Sequence, residues 1–199
     1  YAVLCFAIAI SFKFQAILFA PVLVIFWLKR EVKLIWFLSI PAVYLIWCIP
    51  SLIAGRSFSE LLLIYFAIVE ENAVLTANSP KIYQFVGQEW AIFGTAGIVF
   101  TLAVLAAFYA WFFHSLAGRK PWPLLWIRVF AFISLLTPYL MPRIHERYML
   151  MAEVGILLIG LFDLRRFWMV FVMALINFLS YTDFLFGKQW ISFQVLSMA

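Results

Sequence analysis

Charge is what this chain of 199 residues has least of: Asp, Glu, Lys and Arg together supply only 12% of it. Soluble domains usually carry about 25%. With 67% hydrophobic residues, 20% aromatics and a mean hydropathy of +1.08, the composition excludes an ordinary soluble domain. Cysteine is equally scarce. Cys5 and Cys48 both fall within apolar runs without metal-ligand spacing, so they read as buried thiols and say nothing about redox compartment. No P-loop and no GxGxxG element occurs. An initiator Met and a signal-peptide pattern are also lacking, since the chain opens on "YAVLCFAIAI". It closes as another apolar run, "WISFQVLSMA", begins, so it reads as a piece of a longer protein.

What is present is a series of apolar runs near twenty residues long, the length that crosses a hydrocarbon core. The expected fold is all-α: a polytopic transmembrane bundle of about six spans, at 1–28, 32–53, 91–113, 122–141, 146–164 and 166–186, plus the start of another. Residues 1–199 read as one transmembrane domain, with 54–90 as its single long outer loop. The net charge of +5 does not indicate nucleic acid, because the basic residues sit in short inter-helix loops and orient the chain. Lys29, Arg30, Lys33, Arg119, Lys120, Arg165 and Arg166 are expected in the cytoplasm. Arg56, Lys81, Arg143, Arg147 and Lys188, with Glu60, Glu70, Glu71, Glu89, Glu146 and Asp183, are expected outside. The chain therefore reads as a multi-pass cell-membrane protein, with its functional groups on the extracytoplasmic face and membrane lipids around it.

Two segments depart from this pattern. The first span would be about 42 Å long as one helix, against a core of about 30 Å, and it carries Lys13 and Gln15 near its middle. Either two shorter helices meet near Ser11 to Lys13 at a wet cavity, or a tilted helix lets Lys13 snorkel to the interface. Loop 54–90 contains "SFSELLLIYFAIVEE", spaced for a short interfacial helix that Ser57 or Ser59 could cap. Loops of this length are usually functional or disordered, and its aromatics favour function.

The densest polar segment is "MPRIHERYML", residues 141–150. Pro142 suits the first turn of a helix, and a helix starting there would put Arg143 and Arg147 on one side, with His145 and Tyr148 on the other. Arginines in a first turn oppose the helix dipole and lie against the charge bias of the loops. An anion would remove both costs. The competing reading is an exposed loop whose Arg and Glu side chains pair with one another and with headgroups. On the outer face nucleotide sugars are absent, so the natural phosphate-bearing substrate is a lipid such as a polyprenyl-phosphate sugar. Arginine would stabilise its departing phosphate. Inverting transfer also needs a carboxylate base, for which Glu70, Glu71, Glu89 and Glu146 are available, although the base could lie upstream of residue 1.

Three stretches together resemble a known family. "FKFQAILFAPVLV" is similar to the Lys-Pro-Gln-type helix of bacterial membrane proteins related to the second GPI mannosyltransferase. "LTANSPKIYQFVG" resembles their Asn-Ala-x-Asn-x-Trp loop, and "MPRIHERYML" their Met-His-Glu-Arg-Tyr segment. Phe14, Pro80 and Tyr83 depart from that pattern, standing where proline, asparagine and tryptophan are usual. The resemblance implies the C-type superfamily of polytopic glycosyltransferases. Such an enzyme moves a sugar, with mannose a candidate, from a polyprenyl-phosphate donor to a glycan, lipid or protein acceptor. The resemblance carries Lys13, Gln15, Asn78, His145, Glu146, Arg147 and Tyr148 into the site, and the reading of the residues themselves adds Arg143 as an assisting cation. The resemblance also implies that this chain is the C-terminal part of the enzyme and inactive alone. No cofactor is implied, and a divalent metal stays open. The alternatives are a transporter or flippase for an anionic or lipid-linked substrate, or a non-catalytic subunit of an envelope complex. No inverted repeat is visible between the two halves of the sequence to favour the transporter.

Overall fold

The structure, a computed structural model, describes residues 1–63, 75–76, 79–86, 89–116 and 122–198. It is mainly helical, with no strand among the described residues. Four helical stretches are long and apolar enough to cross a membrane: Leu34–Ile53, Trp90–Ser115, Pro123–Leu140 and Leu164–Phe186. The expected spans 1–28 and 146–164 are helical too, but each is broken or short. The chain divides into two compact units, Tyr1–Asn72 and Ala73–Ala199.

In the first unit, α1 (Ala2–Phe12) ends where Lys13 turns extended, at φ −149° and ψ 113°. A 3-10 stretch, Phe14–Phe19, then leads into α2 (Ala20–Leu28). Proline explains the change of helix type. Pro21 has no N–H for the Ile17 carbonyl, and its ring would crowd that group in an α-helix. The Ala20 N–H takes the Ile17 carbonyl instead, which is 3-10 bonding. The first span is therefore two pieces meeting at Lys13.

The turn after α2 places Arg30 in the left-handed region at φ 60°, with Glu31 N–H bonded to Phe26 O at 2.9 Å and Arg30 N–H to Trp27 O at 2.8 Å. That is a Schellman ending, with arginine in the place glycine usually takes. α3 (Ser39–Ile53) follows and packs on α1. A fourth helix, α4, opens at 58 and is described as far as 63. Ser57 caps it, its Oγ accepting from Glu60 N–H at 3.3 Å. The Tyr44 hydroxyl donates to the Leu61 carbonyl at 2.6 Å and so ties α3 to α4.

The second unit contains α5 (Trp90–Ser115), α6 (Pro123–Leu140), α7 (Leu150–Phe162), α8 (Trp168–Phe186) and the short α9 (Phe193–Leu196). α6 and α7 pack most closely, because a Cβ on Gly155 would stand only 2.7 Å from the Ala131 backbone. Small residues at such a crossing let apolar helices approach where water gives no driving force. Ala131, Met149, Ala152, Ile156, Ile159 and Met173 form the core there. Inside it Asn177 Nδ2 donates to Glu153 Oε1 at 2.9 Å, which joins α8 to α7. Large apolar side chains such as Leu161, Phe171, Leu175 and Trp168 point outward. Exposed apolar surface on this scale fits lipid as the surrounding solvent.

Candidate functional site

The polar segment 141–150 does not begin a helix at Pro142, as its sequence leads one to expect. Residues 141–145 form a turn, a 3-10 stretch runs over Glu146–Met149, and α7 starts at Leu150. Arg143 lies in the left-handed region at φ 64°. Proline followed by a residue of positive φ is the order a type II turn takes, and it competes directly with a helix start. Arg143 and Arg147 therefore do not share a helix face. They flank a bend.

Three contacts hold that bend. The Arg143 guanidinium carbon sits 4.0 Å from the centroid of the Trp90 ring, a cation–π arrangement. Trp90 opens α5 and its ring lies across Gly94, where a Cβ would come within 2.5 Å of it. Lys81 is fully buried, at 0% exposure, and its ammonium donates to the Ile144 carbonyl, the residue after Arg143. The Tyr83 hydroxyl donates to the Leu140 carbonyl at 2.8 Å, at the end of α6. Tyr83 reaches that carbonyl because α5 has glycine at position 97, where any Cβ would overlap the phenol. Burial pushes the Tyr83 pKa above its ordinary value, so it stays a neutral donor.

The segment 79–85 thus acts as a strap under the bend. Its own folding is local: Gln84 Nε2 donates to the Ser79 carbonyl at 3.2 Å, and Ile82–Phe85 form a 3-10 turn. At its far end, Gln194 Nε2 donates to the Gln84 carbonyl at 3.2 Å, bringing in α9. α9 is also tied to α6, since the Tyr139 hydroxyl donates to the Ser197 carbonyl at 3.2 Å.

On the outer side of the bend, Arg147 is exposed, its guanidinium carbon 5.8 Å from the Tyr148 ring centroid. It makes no ion pair among the described residues. His145 and Tyr148 are half-buried neighbours with ring centroids 6.3 Å apart. Glu146 opens the 3-10 turn, and only its backbone is described. The arrangement offers one exposed guanidinium, a second held on an aromatic ring, and an imidazole beside a phenol. Chemically it can meet a phosphate and orient a hydroxyl.

The other expected site residues fall elsewhere. Lys13 and Gln15 belong to the first unit, at the break after α1. Lys13 is exposed, while Gln15 Oε1 is buried without a hydrogen-bond partner among the described residues. Glu70, Glu71 and Asn78 lie outside the described residues. Glu89 is exposed and precedes α5 directly. No group of three potential metal-ligating side chains forms among the described residues.

Sequence reasoning missed Lys81, Tyr83 and Trp90 as parts of the site. Lys81 counted only as an outer charge, and Tyr83 only as a departure from a family pattern. The spacing Trp90, Gly94, Gly97 was the available signal, since two glycines a turn apart on an apolar helix mark close approach. No protein-family model matches the chain, and neither a curated protein nor a solved structure does.

Proposed function

We propose that the chain is the membrane-embedded part of a glycosyltransferase that takes a sugar from a polyprenyl-phosphate donor at the extracytoplasmic face. The observation that carries this reading is the bend at 141–149, where Arg147 is exposed and Arg143 is held against Trp90 while Lys81 and Tyr83 fasten the backbone from beneath. A fully buried lysine whose ammonium donates to the Ile144 carbonyl carries a desolvation cost, and such cost is usually met where geometry matters. In this reading Arg147 contacts the donor phosphate and stabilises it as charge develops on departure. Arg143 adds its field, and His145 and Tyr148 orient the acceptor hydroxyl. The carboxylate that takes the acceptor proton is Glu146, Glu70 or Glu71, or a group upstream of residue 1. The resemblance of "FKFQAILFAPVLV", "LTANSPKIYQFVG" and "MPRIHERYML" to the mannosyltransferase-related family supports the same chemistry.

The test is transfer of labelled sugar from a polyprenyl-phosphate donor in membranes containing the full-length protein. Activity that disappears with Arg147→Ala at unchanged expression supports the reading, and undiminished activity in that variant refutes it.

One observation favours a second reading. The break between α1 and the 3-10 stretch exposes Lys13 at a helix end, as in a transporter that binds an anion at a broken helix. Uptake or flipping of a lipid-linked anion that depends on Lys13 and not on Arg147 would select it.

A further inference from the structure

The opposite end of α6 carries a cation that the reading above does not use. Arg128 lies five residues after Pro123, about 7–8 Å along a helix with no other charged residue. It makes no hydrogen bond or ion pair among the described residues. It lines a groove of about 520 Å³ between α5 and α6. The remaining walls are mostly aromatic. Phe108 stands 4.9 Å from Phe132 and 6.0 Å from Phe112 by ring centroids, and Phe112 packs edge-on against Trp126 at 5.4 Å. The groove is therefore already shaped by ring-on-ring contacts.

Two tryptophans locate this groove in depth. Trp122, 80% exposed, precedes α6, and Trp111, 65% exposed, is near the end of α5, so both sit at the same end of the helix pair. Exposed tryptophans at a helix end mark the headgroup level of a bilayer. Arg128 sits just below that level, within reach of it through its long side chain. No carboxylate among the described residues lines the groove. A lone guanidinium under a tryptophan belt, with an aromatic channel beside it, is complementary to a phosphate that carries a hydrocarbon chain.

We propose that the groove between α5 and α6 binds one anionic phospholipid from the leaflet at the Trp111 and Trp122 end of the pair, with its phosphate on Arg128 and an acyl chain lying along the wall formed by Phe108, Phe112 and Phe132. The site lies at the other end of α6 from the donor site and shares with it only the premise that these helices cross a membrane. Its failure would leave Arg147 untouched, and the converse holds.

The experiment is native mass spectrometry of the full-length protein released from nanodiscs of phosphatidylcholine containing phosphatidylglycerol. The wild type should retain one phosphatidylglycerol about ten times more strongly than phosphatidylcholine, because the choline cation of phosphatidylcholine offsets the phosphate charge that Arg128 would meet. Arg128→Gln should abolish that preference, and Arg165→Gln, at an exposed position outside the groove, should keep it. Leu125→Trp, which fills the groove but leaves Arg128 in place, should also abolish it and decides the matter if Arg128→Gln does not fold. Retention of phosphatidylglycerol by both groove variants at the wild-type level overturns the proposal. So does equal displacement by inorganic phosphate, which would make the site a free-anion site, or stronger retention of polyprenyl phosphate, which would make it a second donor-lipid site.

Discussion

The Tyr83 hydroxyl donates to the Leu140 carbonyl at 2.8 Å across 57 residues of sequence, and this bond fixes where α6 stops. Leu140 is the last residue of that helix, and Pro142 ensures that the next turn cannot simply continue it. The carbonyl would otherwise be one of the orphaned acceptors at a helix end. Tyr83→Phe should therefore cost about 1–3 kcal/mol, the range for stranding a buried acceptor. Thermal unfolding in detergent measures it, and an unchanged midpoint would mean that water takes the place of the phenol.

The same residue gives a pH dependence. Burial raises the folded-state pKa of Tyr83 above its ordinary value of 10.0. Once the pH exceeds that value, the unfolded chain loses the phenolic proton while the folded chain keeps it. Stability then declines as pH rises. The difference in unfolding midpoint between wild type and Tyr83→Phe should therefore shrink above about pH 10 and stay constant below it. A difference that grows with pH would contradict the burial of the phenol.

Lys81 is predicted to act on shape rather than on global stability. Lys81→Met deletes both a buried charge and the donor to the Ile144 carbonyl, and these two effects oppose one another. The net change should stay within about 1 kcal/mol. Amide exchange over residues 141–149 should nevertheless accelerate, because the bend loses its fastening. Unaltered exchange there would show that the Arg143–Trp90 and Tyr83–Leu140 contacts hold the bend without Lys81.

The helical class, the place of the long apolar runs and a serine cap at 57 or 59 were legible in the sequence because each depends on composition or on neighbours close in the chain. The start of α7 was not. Pro142 is compatible with both a helix start and a type II turn, and the choice was made by Lys81 and Trp90, more than fifty residues away. Periodicity placed Arg143 and Arg147 on one face for the same reason, and the tertiary contacts overrode it. The break at Lys13 was half legible: the length of the run signalled it, and Pro21 fixed its form.

The proposed sidedness is tested at the two ends of α7. Arg147 and Arg165 are exposed and lie just before and just after that helix. In a background lacking Cys5 and Cys48, Arg147→Cys should react with an impermeant maleimide on intact cells, and Arg165→Cys only after permeabilisation. The reverse pattern would put the bend in the cytoplasm, where a polyprenyl-phosphate donor has to compete with nucleotide sugars.

The central claim is that the exposed guanidinium of Arg147 holds a lipid-linked phosphate. Arg147→Lys keeps the charge and loses the planar fork, so donor affinity should fall several-fold, while Arg147→Ala should lose about tenfold or more. Neither variant should change affinity for the corresponding uncharged polyprenol. The most direct measurement is equilibrium binding of polyprenyl-phosphate sugar and of polyprenol to the full-length protein in all three forms. The account predicts graded loss for the phosphate lipid alone, and equal donor affinity in wild type, Arg147→Lys and Arg147→Ala would contradict it.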